Sequence, residues 1–170
     1  MGYSVTSNVY LRNLYGNNKD YISGSTRSQA SKKTVISADS QALAKGAKIM
    51  TGLDYGTKAK DDDIENSLLG NNLKAFIDSY NNTLNSASGS ELRDIKKLAD
   101  KLKDFSKEYE SELEKLGITF DEKGYMSLAS AAVENLDNKK FEKIFGQDSD
   151  FTKTVRTLAK KLYRHIDASV

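Results

Sequence analysis

From Ile64 onward the apolar positions Leu68, Leu69, Leu73, Phe76, Ile77, Tyr80 and Leu84 recur at spacings of three and four. They do so again from Leu92 through Ile95, Leu98, Leu102, Phe105, Tyr109, Leu113 and Leu116. Each series is one face of an amphipathic helix. Between them lies "SASGS", Ser86 to Ser90, with Ser90 placed to cap the second of the two. Two such helices joined by so short a turn can bury their stripes only against each other, so the pattern predicts an antiparallel helical hairpin. At 1.5 Å per residue the later helix is expected to run unbroken for about 40 Å. With no proline anywhere in the chain, nothing interrupts either helix by ring chemistry.

The later stripe stops at "LGITFDEKGYMSL", Leu116 to Leu128. Gly117 stands where a left-handed residue ends a helix, with Ile118 placed to contact Leu113 as in a Schellman stop. Ile118 and Phe120 alternate with Thr119, and Met126 and Leu128 alternate with Ser127. Asp121 to Gly124 fits a type I turn, with Asp first and Gly fourth. A two-stranded hairpin is marginal alone, so its apolar face is expected to lie on the helices.

The remaining segments extend this plan. Met1 to Lys33 is rich in Ser, Asn and Gly, with a brief apolar cluster at Val9, Tyr10, Leu11, Leu14 and Tyr15, and reads as a flexible arm ordered where that cluster docks. "SADSQALAKGAKIMTG" offers a short helix with Ser37 as N-cap and Gly52 as its stop. "SAAVENLDNKKFEKIFG" reads as two short helical pieces, the second capped by Asp137 and ended by Gly146. The last helix buries Phe151, Val155, Leu158, Leu162 and Ile166, with Lys153, Arg156, Lys160 and Arg164 on the opposite, solvent-facing side. Asp148 and Asp150 are placed as its N-caps. The fold class is mainly α, an elongated, coiled-coil-like antiparallel hairpin or bundle with one small β-hairpin. Residues 1–33 form the arm, and 34–170 a single helical domain with the hairpin at 118–128.

Composition bounds the chemistry. Without cysteine there are no disulfides, thiolate nucleophiles or zinc–thiolate sites. The near-balanced formal charge of +2 argues against a dedicated nucleic-acid binder. No apolar run approaches the roughly 18 residues of a membrane span, and the N-terminus lacks the charged-then-apolar pattern of a secretory signal. His165, the sole histidine, reads as a residue favoured at a helix C-terminus rather than a catalytic base. "DDDIE", Asp61 to Glu65, reads as first-turn acidity favoured by the helix dipole rather than a metal site. No enzyme activity, cofactor or metal is expected, and no Gly-rich phosphate loop is present.

"LKAFIDSYNNTLNS", a long helix, "LGITFDEKGYMSL", "LDNKKFEKIFG" and "FTKTVRTLAKKLY" together resemble the C-terminal helical region of the flagellar filament-capping protein, hook-associated protein 2. The likeness covers Leu73 to Ala168, and its specific part is Gly117, Ile118, Phe120, Asp121, Gly124, Leu128, Phe145 and Gly146. Members of that family carry β-rich insertions and a long terminal heptad helix; here the connections are too short for the former and the sequence stops at Val170 without the latter. The resemblance therefore implies the helical stem of a cap protein, or a short paralogue. It implies a structural role in the bacterial flagellum, export through the flagellar channel without a cleaved signal, and partners among flagellin, hook-associated proteins or an export chaperone. No nucleic acid or membrane partner is implied, and the isolated chain is expected to be a monomer or weak dimer. A second class fits the same helices: a cytoplasmic helical adaptor or flagellar export chaperone, which should expose a large apolar groove.

Overall fold

The computed structural model describes residues 9–16, 24–55, 68–129 and 137–168. These form helices α1 (Val9–Tyr15), α2 (Gly24–Gln29), α3 (Lys32–Thr51), α4 (Leu68–Ser88), α5 (Arg93–Glu108) and α6 (Glu110–Glu114). Strands β1 (Ile118–Phe120) and β2 (Met126–Leu128) follow, then α7 (Asn138–Phe145) and α8 (Asp150–Asp167). The fold is mainly helical with one small antiparallel hairpin, as the sequence pattern predicts.

Its centre is larger than a two-helix hairpin. Helix α3 packs on both α4 and α8, and α5 packs on the other sides of the same two helices, closing a four-helix bundle. Paired residues fix the directions. Lys32 of α3 reaches Glu91 beyond the end of α4, and Gly46 of α3 lies against Phe76 and Ser79 of α4. Ser37 of α3 donates to Asp167 at the end of α8. The order α3, α4, α5, α8 is thus up, down, up, down, the arrangement that short connections between neighbouring helices favour. The interior holds Leu43, Leu73, Phe76, Tyr80, Ile95, Leu102, Phe145, Phe151, Val155 and Leu162, each at most 1 % exposed.

Several expected boundaries shift. Helix α3 begins at Lys32, not after Ser37, because the Ser31 hydroxyl accepts the Thr34 N–H and caps the helix there; Ser37 lies inside it. Ser90 is not the cap of α5. Its hydroxyl accepts the Leu92 N–H at 3.1 Å, and Leu92 itself holds the cap position. The expected unbroken helix to Leu116 divides at Tyr109, which has ψ near 10° and bonds back to the Ser106 carbonyl. That tightening turns the Tyr109 ring onto Phe105 and Phe151, with centroids 5.3 and 5.2 Å away. At 16 residues, α5 is about 24 Å long rather than about 40 Å. Ser149, not Asp148 or Asp150, caps α8 by accepting the Thr152 N–H.

Within the expected arm the described residues include helices α1 and α2, and the apolar cluster is ordered where it docks. Helix α1 docks across α3 and α4 through Leu11, Leu14 and Tyr15 against Ala38, Ala42 and Ala75. Small residues permit that approach: a Cβ on Gly46 would stand 3.2 Å from Leu14 Cδ1. The start of α4 near Ile64, the "DDDIE" run and the first helical piece of "SAAVEN" fall wholly or largely outside the described residues.

Candidate functional site

Six of the eight residues that carry the resemblance lie in or beside the β-hairpin, whose second strand packs on α4. Gly117 adopts φ +75°, a left-handed conformation that costs other residues strain. Its N–H bonds to the Glu114 carbonyl at 2.9 Å, and its own carbonyl accepts the Ala129 N–H at 2.8 Å. The helix has closed at Lys115, so Gly117 follows it in a tight turn instead of a Schellman stop, leads the chain into β1 and closes the open end of the hairpin. Ile118 pairs with Leu128 and Phe120 with Met126, so all four side chains share one face. Ile118 and Met126 are buried in the core, while Phe120 and Leu128 pack on its edge.

The turn is built as the sequence predicts. The Gly124 N–H bonds to the Asp121 carbonyl at 3.0 Å, and Asp121 Oδ1 accepts the N–H groups of Lys123 and Tyr125 at 2.8 and 2.9 Å. Gly124 takes φ +87°, and a Cβ there would stand 2.6 Å from Lys103 Cγ of α5. Asp121 thus rigidifies the loop while Gly124 lets it lie against α5.

What seats the hairpin is a residue that the sequence reading passes over. Asn81 of α4 accepts the Met126 N–H and donates to the Met126 carbonyl, both at 2.8 Å. Its carboxamide acts as one unit of a third strand, satisfying both backbone groups of Met126. The Tyr125 hydroxyl adds a bond to Asn85 at 3.2 Å, one helical turn along. Asn81, Leu84 and Asn85 share one flank of α4, a polar interruption of the stripe that is the only trace in the sequence.

Phe145 and Gly146 act deeper in. Phe145 is buried with edge contacts to Phe76 at 5.6 Å and Phe151 at 5.7 Å, and stacks on Phe141 at 6.1 Å. The Gly146 N–H bonds to the Glu142 carbonyl at 2.7 Å. Its φ of −71° is ordinary, so its constraint is space: a Cβ would stand 2.4 Å from that carbonyl oxygen. Asp137 caps α7 as expected, accepting the N–H groups of Lys139 and Lys140. These eight residues share one hydrophobic core and its margin, and do not line a common cleft.

A second constellation was not foreseen. Asp39, fully buried in α3, receives Arg27 of α2 through two bonds of 2.8 and 2.6 Å. The Tyr15 hydroxyl of α1 donates to Asp39 Oδ1 at 2.7 Å, and Asn82 of α4 donates to that hydroxyl at 2.9 Å. Burial, followed by the neighbouring carboxylate, pushes the Tyr15 phenol well above its ordinary range and keeps it a donor. Four helices are tied through one carboxylate. The signal in the sequence is a lone Asp within the apolar face of "VISADSQALA".

The basic stripe of α8 divides in two. Lys153 and Arg164 are exposed, as expected, but Arg156 and Lys160 are half-buried in a groove shared with Gln41, Ala44, Lys45 and Lys48 of α3 and with Tyr163. His165 is exposed in the last turn of α8. Asp78, half-buried on α4, has its carboxyl pushed up to about 6 by burial, with Lys74 opposing the shift. Among the described residues no group of His, Cys, Asp and Glu is arranged to hold a metal ion. No helix among them is long and apolar enough to cross a membrane. No protein-family model, curated protein or solved structure matches the chain.

Proposed function

We propose that this chain is a structural, protein-binding component of the bacterial flagellum, akin to the helical stem of the filament cap. It leaves the cell through the flagellar channel without a cleaved signal, and meets flagellin, other hook-associated proteins or an export chaperone. The observation that carries the reading is the contact between the two segments that bear the resemblance. Asn81, the last residue of "AFIDSYN", holds Met126 of the "LGITFDEKGYMSL" hairpin by two hydrogen bonds. Gly117, Gly124 and Gly146 each occupy positions where their backbone or space admits little else, so the motif is spent on architecture and not on chemistry.

The adaptor or chaperone reading asks for a broad exposed apolar groove. Among the described residues, Val9 and Leu68 are the large hydrophobics left exposed, at 53 % and 61 %. Two exposed side chains do not make a broad apolar groove, which favours the structural reading. Fractionation of the source cells tests it. The protein should appear in sheared flagella or the culture medium, and should vanish from both when the flagellar export gate is inactivated. A protein found only in the cytoplasm, with motility intact on deletion of its gene, would refute the proposal.

A further inference from the structure

We infer that the groove between α3 and α8 is a binding site for a compact polyanion carrying two or more adjacent phosphoryl groups. The inference stands apart from the flagellar reading and rests on the groove alone. The groove is shallow and largely open to solvent, with a volume of about 400 Å³ that admits a few phosphoryl groups. Lys45 and Lys48 enter from α3, Arg156 and Lys160 from α8, and no carboxylate lines it.

Sequence distance hid this convergence. The antiparallel packing of α3 on α8 sets Ala44 and Lys48 beside Lys160 and Arg156, bringing like charges together from opposite ends of the chain. The overall charge of +2 concealed it, because the acidic α6, with Glu110, Glu112 and Glu114, offsets the basic face elsewhere. Gathering like charges in a concave site raises the local potential and attracts counter-ions.

The four cations are not equivalent. Lys45 Nζ is engaged by the Asn13 carbonyl at 2.5 Å, so it also pins the end of α1. Arg156 differs: its Nε–H is buried without a hydrogen-bond partner. With that atom closed to solvent, a ligand in the groove meets the guanidinium through its outer N–H groups. Tyr163 and Gln41 supply neutral polar groups at the other end of the groove.

Charge density selects the ligand class. Several cations within so small a volume call for several negative charges on few atoms. Adjacent phosphoryl groups provide that, whereas each carboxylate brings one charge on a bulkier frame. Arginine also matches phosphoryl oxygens by its fork of N–H donors.

Isothermal titration of the full chain with inorganic tripolyphosphate at near-physiological salt tests the site. One saturable site is expected. Lys48→Gln with Arg156→Gln should weaken binding about tenfold or more. Lys153→Gln with Arg164→Gln, which removes equal charge from the exposed part of the α8 stripe, should change it less than about twofold. Circular dichroism reports folding of each variant, and exposed Lys48→Gln alone keeps the comparison if the double variant unfolds. Four results would each overturn the inference: no saturable binding, equal weakening by both pairs, equal affinity for citrate, or affinity for duplex DNA that grows with length and falls equally in both pairs.

Discussion

Asp39 is the residue on which the N-terminal third depends. A carboxylate with no exposure must be paired, and here Arg27 and Tyr15 pair it from two different helices. Removing one side of a buried pair leaves the other uncompensated. Arg27→Ala should therefore lower the unfolding free energy by about 3–5 kcal/mol, less whatever water recovers at the partly open guanidinium. Urea titration measures it, and a change within error would mean that α2 is not held by this bond. Gly117→Val should cost at least about 1 kcal/mol, because a β-branched residue is strained at φ +75°; an unaltered melting temperature would remove the argument from backbone strain. Asp78 gives the pH dependence. Its folded pKa of about 6 lies above the usual carboxylate value, so its contribution favours folding while it is protonated. That contribution is complete below the unfolded value of 3.8 and is lost as pH rises from there through about 6. Asp78→Asn should accordingly raise stability by about 1 kcal/mol or more at pH 7.5 and leave it unchanged well below pH 3.8. Equal effects at both pH values would show that the carboxyl is not desolvated.

Among the elements, α4, α8 and the β-hairpin were legible because their information is local. A stripe at three-and-four spacing, or Asp and Gly three residues apart in a turn, reports its structure without reference to the rest of the chain. Helix α3 was less legible for a physical reason. It touches α1, α4 and α8, so "QALAKGAKIM" is lined with small residues on several sides and shows no single broad apolar stripe. Its true start was hidden because Ser31 and Ser37 are both competent caps, and long-range packing chose between them. The break at Tyr109 is partly tertiary: its ring packs on Phe105 of the same helix and on Phe151 from a distant one. The hairpin was visible, but its seat on Asn81 was not, since the partner groups are backbone atoms 45 residues away. Helix α8 offers the clearest comparison of two faces. Leu162→Ala, at 0 % exposure, should cost about 2–5 kcal/mol, whereas Lys153→Ala and Arg164→Ala should each fall within about 0.5 kcal/mol of the parent. Thermal unfolding compares them directly, and similar losses from both faces would mean that α8 docks by another surface.

At the scale of the whole molecule, the four central helices close on themselves and α1, α6, α7 and the hairpin cover their margins. Stable self-assembly normally buries a substantial patch with an apolar centre. Among the described residues the large apolar side chains are buried or half-buried, with Val9 and Leu68 the exceptions. The central proposal is therefore that this unit does not close a ring of its own copies. Size-exclusion chromatography with in-line light scattering, run over a hundredfold range of concentration at about physiological salt, tests it most directly. The account predicts a monomer, or a dimer that dissociates on dilution; a stable pentamer or larger ring that persists on dilution would contradict it.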